Sequence, residues 1–309
     1  MSNIEKSKII VILGPTASGK TKLGVDLARK FNGEIISADS RQVYRGMDIG
    51  TGKDLAEYGV GKNKVPYHLI DVADPKQEFN VVQYQQLAHK AIEDIIKKGK
   101  LPIIVGGTGL YLQALVDNYQ LSSATPDKKS RDILENKTVE EVFKLLEKTN
   151  PIFAGRLNES EKKNKRRLIR YLEVVKNPAK KVAEKKVDSN RDFLILGLNF
   201  PREILNKRIY ERIIRRIETE GMIQEVERLH DEDVSWKRLE GFGLEYKFIS
   251  FYLQEKIEKE EMIEKLFIAS RQFAKRQMTW FRRWEKQGRE INWVKDEKAT
   301  EKLVNNFLK

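Results

Sequence analysis

The sequence has no cysteine. That excludes a disulfide framework, a thiolate zinc site, an iron–sulfur cluster and a cysteine nucleophile. Imidazole is almost as scarce: the chain offers only His68, His89 and His230, and no two have the spacing of a metal-binding pair. A structural zinc centre is therefore not expected. No apolar run approaches the roughly 18 residues that a membrane-spanning helix needs. The start of the chain, Met1 to Lys8, is short and polar, and the apolar run behind it is one strand long, so it lacks a signal peptide's hydrophobic region and cleavage site. These absences point to a soluble, cytoplasmic chain with no membrane partner. Internal repeats and low-complexity tracts are absent too.

Charge and apolar residues are plentiful. Of 309 residues, 40% are hydrophobic and 34% charged, enough apolar material to rule out a wholly disordered chain. At roughly 150 residues per domain the length suggests two domains, or one core with an insertion. The formal charge is +13 and unevenly spread: residues 1–120 carry a net +3 and residues 121–309 a net +10. A polyanionic partner such as nucleic acid is one reading of that excess, and a merely basic soluble surface is the other.

Ile9 to Leu13 is a fully apolar, β-branched-rich run ended by Gly14, as expected of a strand buried on both faces of a parallel sheet. Glu34 to Ser37, Leu101 to Val105 and Phe193 to Leu196 read as further strands. Helical stretches alternate with them: Lys20 to Lys30, and a helix opened by the Asn80/Gln83 capping pair that runs to about Lys98. This alternation predicts an α/β fold, a parallel sheet flanked by helices, and the Gly14-x-x-x-x-Gly19-Lys20-Thr21 loop after its first strand makes it P-loop NTPase-like. Between 121 and 190 the buried β-type runs vanish. Thr138 with Glu141 caps a short helix, and Leu157 to Val175 reads as a basic one. An all-helical insertion at 121–190 is expected, with the core made of 1–120 and 191–309. From about 203 to 285 the pattern is helical again, broken near Gly221 and at Gly241-Phe242-Gly243.

The strongest motif is Gly14-Pro15-Thr16-Ala17-Ser18-Gly19-Lys20-Thr21, which fits G-x-x-x-x-G-K-[ST] directly after a buried strand and before a helix. Such a loop turns successive N–H groups onto phosphate oxygens, and the helix N-terminus adds its positive dipole end. Lys20 supplies a point charge, and the Thr21 hydroxyl can reach a bound Mg²⁺. The loop grips a di- or triphosphate without saying what is done with it. None of Asn63-Lys64, Asn136-Lys137 and Asn164-Lys165 is followed two positions on by Asp, so a GTPase base-reading motif is missing. The strand ending at Val105 carries no terminal Asp, which leaves Leu69-Ile70-Asp71 as a weak metal-strand candidate.

Asp39 follows the second strand and is expected at the carboxyl edge of the sheet, beside the strand that bears the phosphate loop. That edge is where ligands bind in open α/β sheets. A carboxylate there can serve as a general base or can cap a turn.

The segments from Gly14 to Thr21, Ile36 to Lys53, Pro66 to Asp71 and Pro102 to Leu115 occur in that order in a known family. So do Arg166 to Val174, Leu205 to Leu229 and Lys275 to Arg282. Together they resemble the tRNA dimethylallyltransferases, also called tRNA isopentenyltransferases, over nearly the whole chain, with low similarity at about 121–155. The resemblance implies transfer of a dimethylallyl group from dimethylallyl diphosphate to N6 of adenosine 37, beside the tRNA anticodon. The phosphate loop, Gly14 to Thr21, would then hold a leaving diphosphate with Mg²⁺, and no ATP would be consumed. The resemblance makes Asp39 the base and puts Thr108 near the reacting adenine. It also places a diphosphate-contacting Arg in the helix expected at 203–219, where Arg212 is favoured and Arg208 comes next. It matches Asp39, Ser40, Arg41 and Gln42, then Arg166, Arg167 and Arg170, then Gly243, then Lys275, Arg276, Gln277, Trp280 and Arg282, to tRNA-contacting segments.

The residues themselves suit RNA. A target base inside a folded loop has to be flipped into the pocket, and aromatic stacking with cationic phosphate contacts is the usual means of holding it. Residues 161–181 carry nine basic and two acidic side chains, and 271–286 interleaves six cations with Phe273, Trp280, Phe281 and Trp284. A packed helix with an aromatic inner face and a basic outer face satisfies both a structural and an RNA-binding reading. In one place the sequence departs from the family pattern: Leu244 stands where Tyr is usual after the glycine, and Tyr246 comes two residues later. The cysteine-containing extension of eukaryotic members is lacking, which favours the bacterial type, expected to work as a monomer on the anticodon stem-loop. Three other readings compete: an adenylate isopentenyltransferase, a small-molecule P-loop kinase, and a nucleotide-gated RNA-binding module.

Overall fold

The computed structural model describes residues 6–119, 127–176 and 190–309. They divide into two compact units, one formed by Met1–Tyr119 with Asp188–Lys309 and the other by Gln120–Val187.

The larger unit is built on six parallel strands in the order β3-β2-β4-β1-β5-β6. These are β1 (Ser7–Leu13), β2 (Gly33–Ser37), β3 (Tyr67–His68), β4 (Leu101–Gly106), β5 (Arg191–Leu198) and β6 (Asn292–Val294). The long helices between them are α1 (Lys20–Lys30), α2 (Val81–Lys97) and the short α3 (Gly109–Val116). The apolar run of β1 explains the layering. Ile9, Val11 and Leu13 point to one side, into a cluster with Tyr84, Ile92, Leu112, Phe281 and Trp284. Ile10 and Ile12 point to the other, against Val25, Leu27 and Val304. Alternate side chains of a strand face opposite sides, so a strand apolar at every position needs helices on both. The sequence-based strands are all present, each extended by one to four residues. The two edge strands were missed because two or three residues carry no pattern of their own.

The Asn80 capping box forms as expected: its side chain accepts from the N–H of Val82 and Gln83, and Gln83 Oε1 accepts from Asn80 N at 3.0 Å.

The unit at Gln120–Val187 is helical in its described part: α4 (Lys128–Glu135), α5 (Val139–Thr149), α6 (Pro151–Gly155), α7 (Glu159–Lys162) and α8 (Lys165–Lys176). Its own core joins Val142, Leu146, Leu168 and Leu172. The single helix expected over 157–175 is two, since Asn158 caps α7 and the chain turns at Lys163 and Asn164 before α8 begins. Lys180 and Lys181, part of the basic segment, lie outside the described residues.

The remaining helices return to the larger unit: α9 (Arg202–Glu218), α10 (Met222–Asp231), α11 (Trp236–Phe242), α12 (Leu244–Leu253), α13 (Lys259–Lys286) and α14 (Glu297–Leu308). The expected breaks at Gly221 and Gly243 are real, and both glycines have positive φ. Two further breaks, near 232–235 and 254–258, carried no glycine signal. Helices α9 to α13 enclose a second apolar cluster in which Ile209, Ile213 and Ile217 form the expected stripe.

Candidate active site

A cavity of about 1160 Å³ opens at the carboxyl edge of the sheet, entirely within the larger unit. Three strand ends and one helix furnish it. The loop after β1 contributes Thr16 to Thr21, the segment after β2 contributes Asp39 to Gln42, the turn after β4 contributes Gly106 to Thr108, and α9 contributes Arg208, Arg212 and Arg216.

The loop after β1 needs unusual backbone. Gly19 sits at φ 79°, closing the loop onto the first turn of α1, and Ala17 also adopts positive φ. Lys20 folds back over the loop, its ammonium donating to Pro15 O at 2.7 Å. Burial pulls its pKa down to about 8, and the neighbouring Arg212 adds to this while Asp39 opposes it. Gly14 and Pro15 are buried beneath the loop and do not line the cavity. Thr21 lines it. Ser18 Oγ is buried with no hydrogen-bond partner. A bare hydroxyl in an anion-binding loop is the kind of donor that a phosphate oxygen satisfies.

Asp39 does lie on the ligand edge, but not beside the strand that bears the loop. β4 runs between β2 and β1, pairing Ile36 with Ile104 and Ile12 with Val105. The close approach depends on Gly106, where a Cβ would meet Ala38 O at 2.2 Å. This brings Thr108 to Asp39's own segment: Ser40 N donates to Thr108 Oγ1 at 3.1 Å and Thr108 N to Ala38 O at 3.2 Å. Of the two sequence-based readings of Asp39, the hydrogen bonds show the turn cap. Oδ1 accepts from Arg41 N at 2.8 Å and Gln42 N at 3.4 Å, which fixes a turn. No described residue donates a hydrogen bond to Oδ2. The carboxylate is thus held by one oxygen and presents the other.

On α9, i, i+4 spacing brings three guanidiniums to one side at different depths. Arg212 donates to Thr16 Oγ1 at 2.6 Å, and burial lowers its pKa to about 10. Arg216 is 2% exposed and pairs with Asp54 at 3.2 Å. Arg208 is exposed and stacks over Phe200 at 4.3 Å from the ring centre. Glu245 also lines the cavity, and its burial pushes the carboxyl pKa up against the attraction of Arg212.

The long loop between Ser40 and Asp54 is pinned by side chains that the sequence reading left without a role. The Glu225 carboxylate accepts from three successive main-chain N–H groups, Asp48 and Ile49 at 2.7 Å and Gly50 at 2.9 Å, and from Tyr246 Oη at 2.7 Å. Tyr246 packs against Gly50, which has no room for a side chain. The departure from the family pattern therefore supplies an internal clamp, with Tyr246 only 2% exposed. Lys53, fully buried, donates to Tyr44 O, Asp48 and Asp71. Asp71, the weak metal-strand candidate, is occupied as that partner. Both Lys53 and Asp48 lay inside a recognised segment, but a buried ion pair has no local sequence signature.

The expected RNA-contacting residues divide into four sets. Lys275, Arg276 and Arg282 are exposed on α13, opposite buried Phe281 and Trp284. Arg166 and Arg167 are exposed on α8. Gly243, at φ 77° between α11 and α12, lines the cavity, and so does Arg41, whose guanidinium lies 5.5 Å over the Phe242 ring. Several others are engaged inside the protein. Gln42 accepts from Ser37 Oγ and donates to Gly52 O. Arg170 pairs at 3.0 Å with Glu173, which Arg131 also holds. Trp280 is partly buried over Gly109. Gln277 is 6% exposed with both ends of its amide bonded internally.

Among the described residues no cluster of three or more His, Asp or Glu side chains could hold a metal. A divalent cation here would depend on the Thr21 hydroxyl and the ligand's own phosphate oxygens, an arrangement common for Mg²⁺.

An IPP transferase family model matches residues 42–284. The chain is 44% identical to a tRNA dimethylallyltransferase of Syntrophus aciditrophicus, covering 97% of this chain and 98% of that protein. It is 47% identical to one of Treponema denticola, covering 95% and 98%. The crystal structure of a full-length tRNA isopentenylpyrophosphate transferase from Bacillus halodurans superposes with a TM-score of 0.68 at 36% identity, covering 98% and 96%. A eukaryotic dimethylallyltransferase captured acting on tRNA superposes with a TM-score of 0.72 at 31% identity, covering 89% of this chain and 69% of that one.

Proposed function

Since the chain belongs to the IPP transferase family and transfers a dimethylallyl group to tRNA, we propose that its donor is dimethylallyl diphosphate and its acceptor N6 of adenosine 37 in the anticodon stem-loop. The observation that carries this is the convergence, in one cavity, of an anion-holding loop with a carboxylate that has one uncommitted oxygen.

In this reading the bond between the allylic carbon and the diphosphate oxygen breaks and the bond from that carbon to N6 forms. Positive charge develops on the allyl group and negative charge on the departing oxygens. Lys20, Arg212 and the amides of the Gly14–Thr21 loop lie where that negative charge collects. The proton leaving N6 passes to Asp39 Oδ2, while Oδ1 stays anchored to the turn at Arg41 and Gln42. Thr108, fixed against Ser40, is placed to orient the adenine. Thr21 would hold Mg²⁺, which would supply positive charge to the leaving diphosphate. The exposed cations of α13 and α8 would follow the tRNA backbone. We read the enzyme as a cytoplasmic monomer.

The test is label transfer from dimethylallyl diphosphate to bulk tRNA with Mg²⁺ and no ATP, with AMP as a competing acceptor. Asp39→Asn preserves the oxygen that anchors the turn and removes the base, so its turnover should fall at least about 100-fold while diphosphate still binds. An unchanged rate would remove Asp39 from the chemistry. Label on AMP and none on tRNA would place the reaction at the free nucleotide.

A further inference from the structure

We propose that Gln277 is a positioning residue for the donor site, holding the anion-binding loop in its active shape, and is not an RNA contact. The inference rests on the functional reading above and goes beyond it.

Gln277 projects from the buried side of α13, the face opposite exposed Lys275, Arg276 and Arg282. Its Oε1 accepts from Thr16 N at 2.8 Å and its Nε2 donates to Gly107 O at 3.0 Å. The amide therefore spans the loop after β1, which would bind diphosphate, and the turn after β4, which carries Thr108. Its orientation follows from the partners, because only the oxygen can accept from an N–H and only the nitrogen can donate to a carbonyl. Gly107 leaves room for it, since a Cβ there would lie 2.3 Å from Gln277 Nε2.

Thr16 is held from both sides. Its main-chain N–H goes to Gln277 and its hydroxyl accepts from Arg212 Nη2 at 2.6 Å. Arg212 holds the side chain, and Gln277 takes up the main-chain N–H. With that N–H satisfied behind the loop, the following amides are free to turn onto a phosphate. A backbone donor left unpaired in a buried site costs more than the bond itself contributes, so the loop would re-fold to rescue it. Gln277 thus acts on the donor through the backbone and touches neither substrate.

The experiment uses the full chain and two substitutions, Gln277→Met, which keeps the shape and removes both bonds, and Gln277→Glu, which keeps an acceptor for Thr16 and sets an anion against Gly107 O. Four quantities are measured for each: inorganic diphosphate affinity with Mg²⁺ by calorimetry, KM for the donor and kcat with tRNA, tRNA affinity by filter binding, and the thermal midpoint. Both variants should bind diphosphate at least about tenfold more weakly and raise the donor KM by a similar factor, with tRNA affinity within twofold of the parent. Amide exchange should quicken in the peptide covering the loop after β1 and not in α13. Weakened tRNA binding with unchanged diphosphate affinity would overturn the proposal and make Gln277 an RNA contact. Parent-like behaviour on every measure would overturn it outright, as would a uniform fall in thermal midpoint with an unchanged KM. Failure of the parent chain itself to bind diphosphate or modify tRNA would instead sink the functional reading, and this proposal with it.

Discussion

At the scale of single residues, Lys20 makes the site sensitive to pH. Its ammonium is buried in a loop that holds no counter-charge of its own, and burial brings its pKa down to about 8. An arriving diphosphate supplies the missing charge and favours the protonated form, so binding above pH 8 takes up a proton. The sign follows: affinity is full below about pH 8 and declines above it, by close to tenfold at pH 9. Calorimetry of diphosphate binding from pH 6.5 to 9.5 reads this directly. The decline should vanish in Lys20→Met, whose affinity is low and flat. The same shift has a consequence for folding. Between about 8 and the unfolded value of 10.5 the unfolded chain holds the extra proton, so the Lys20 contribution makes stability rise with pH in that window.

At the scale of elements, the site was legible wherever one short stretch carries its whole meaning. The glycines and lysine of the Gly14–Thr21 loop announce a phosphate cradle because the backbone alone makes it. Asp39 was found because it follows a strand whose apolar run is unmistakable, and Thr108 only through the family resemblance. What stayed hidden is pairing between distant elements. The sequence carries no signal that β4 separates β2 from β1, that Gln277 and Gln42 spend their amides internally, or that Glu225 on α10 reaches the loop at Asp48 to Gly50. Glu225 also shows what such pairings do. One carboxylate receives four donors there, each a charge-assisted bond. Glu225→Gln keeps the size and loses the charge, and it should cost about 1–3 kcal/mol in urea unfolding. Tyr246→Phe removes one donor and should cost about 1 kcal/mol. The double variant should cost less than the sum, because the two share a bond. Additive losses would mean that the Tyr246 hydroxyl contributes by a route other than its bond to Glu225.

At the scale of the whole molecule, the division of the core decides which activities can be separated. Among the described residues, the apolar clusters of the larger unit draw none from 120–187, and the cluster of the smaller unit draws none from outside it. Each unit therefore carries its own hydrophobic driving force for folding. Every described residue lining the cavity belongs to the larger unit. The smaller unit supplies exposed Arg166 and Arg167 and much of the basic segment 161–181. Replacing 120–187 with a flexible glycine–serine linker of about 12 residues should leave a cooperatively folding chain that binds diphosphate within threefold of the parent. Its tRNA affinity should be lower and less sensitive to salt, because each lost phosphate contact removes about 0.7–0.9 from the slope of log K against log salt. Transfer to tRNA should fall about 100-fold, since the base would no longer be held for attack. Filter binding from 50 to 300 mM salt, together with diphosphate calorimetry on the same preparation, separates the outcomes. A deletion that keeps both the slope and the transfer rate would make α8 a solvated basic face, and the RNA would then be read by the larger unit through α13.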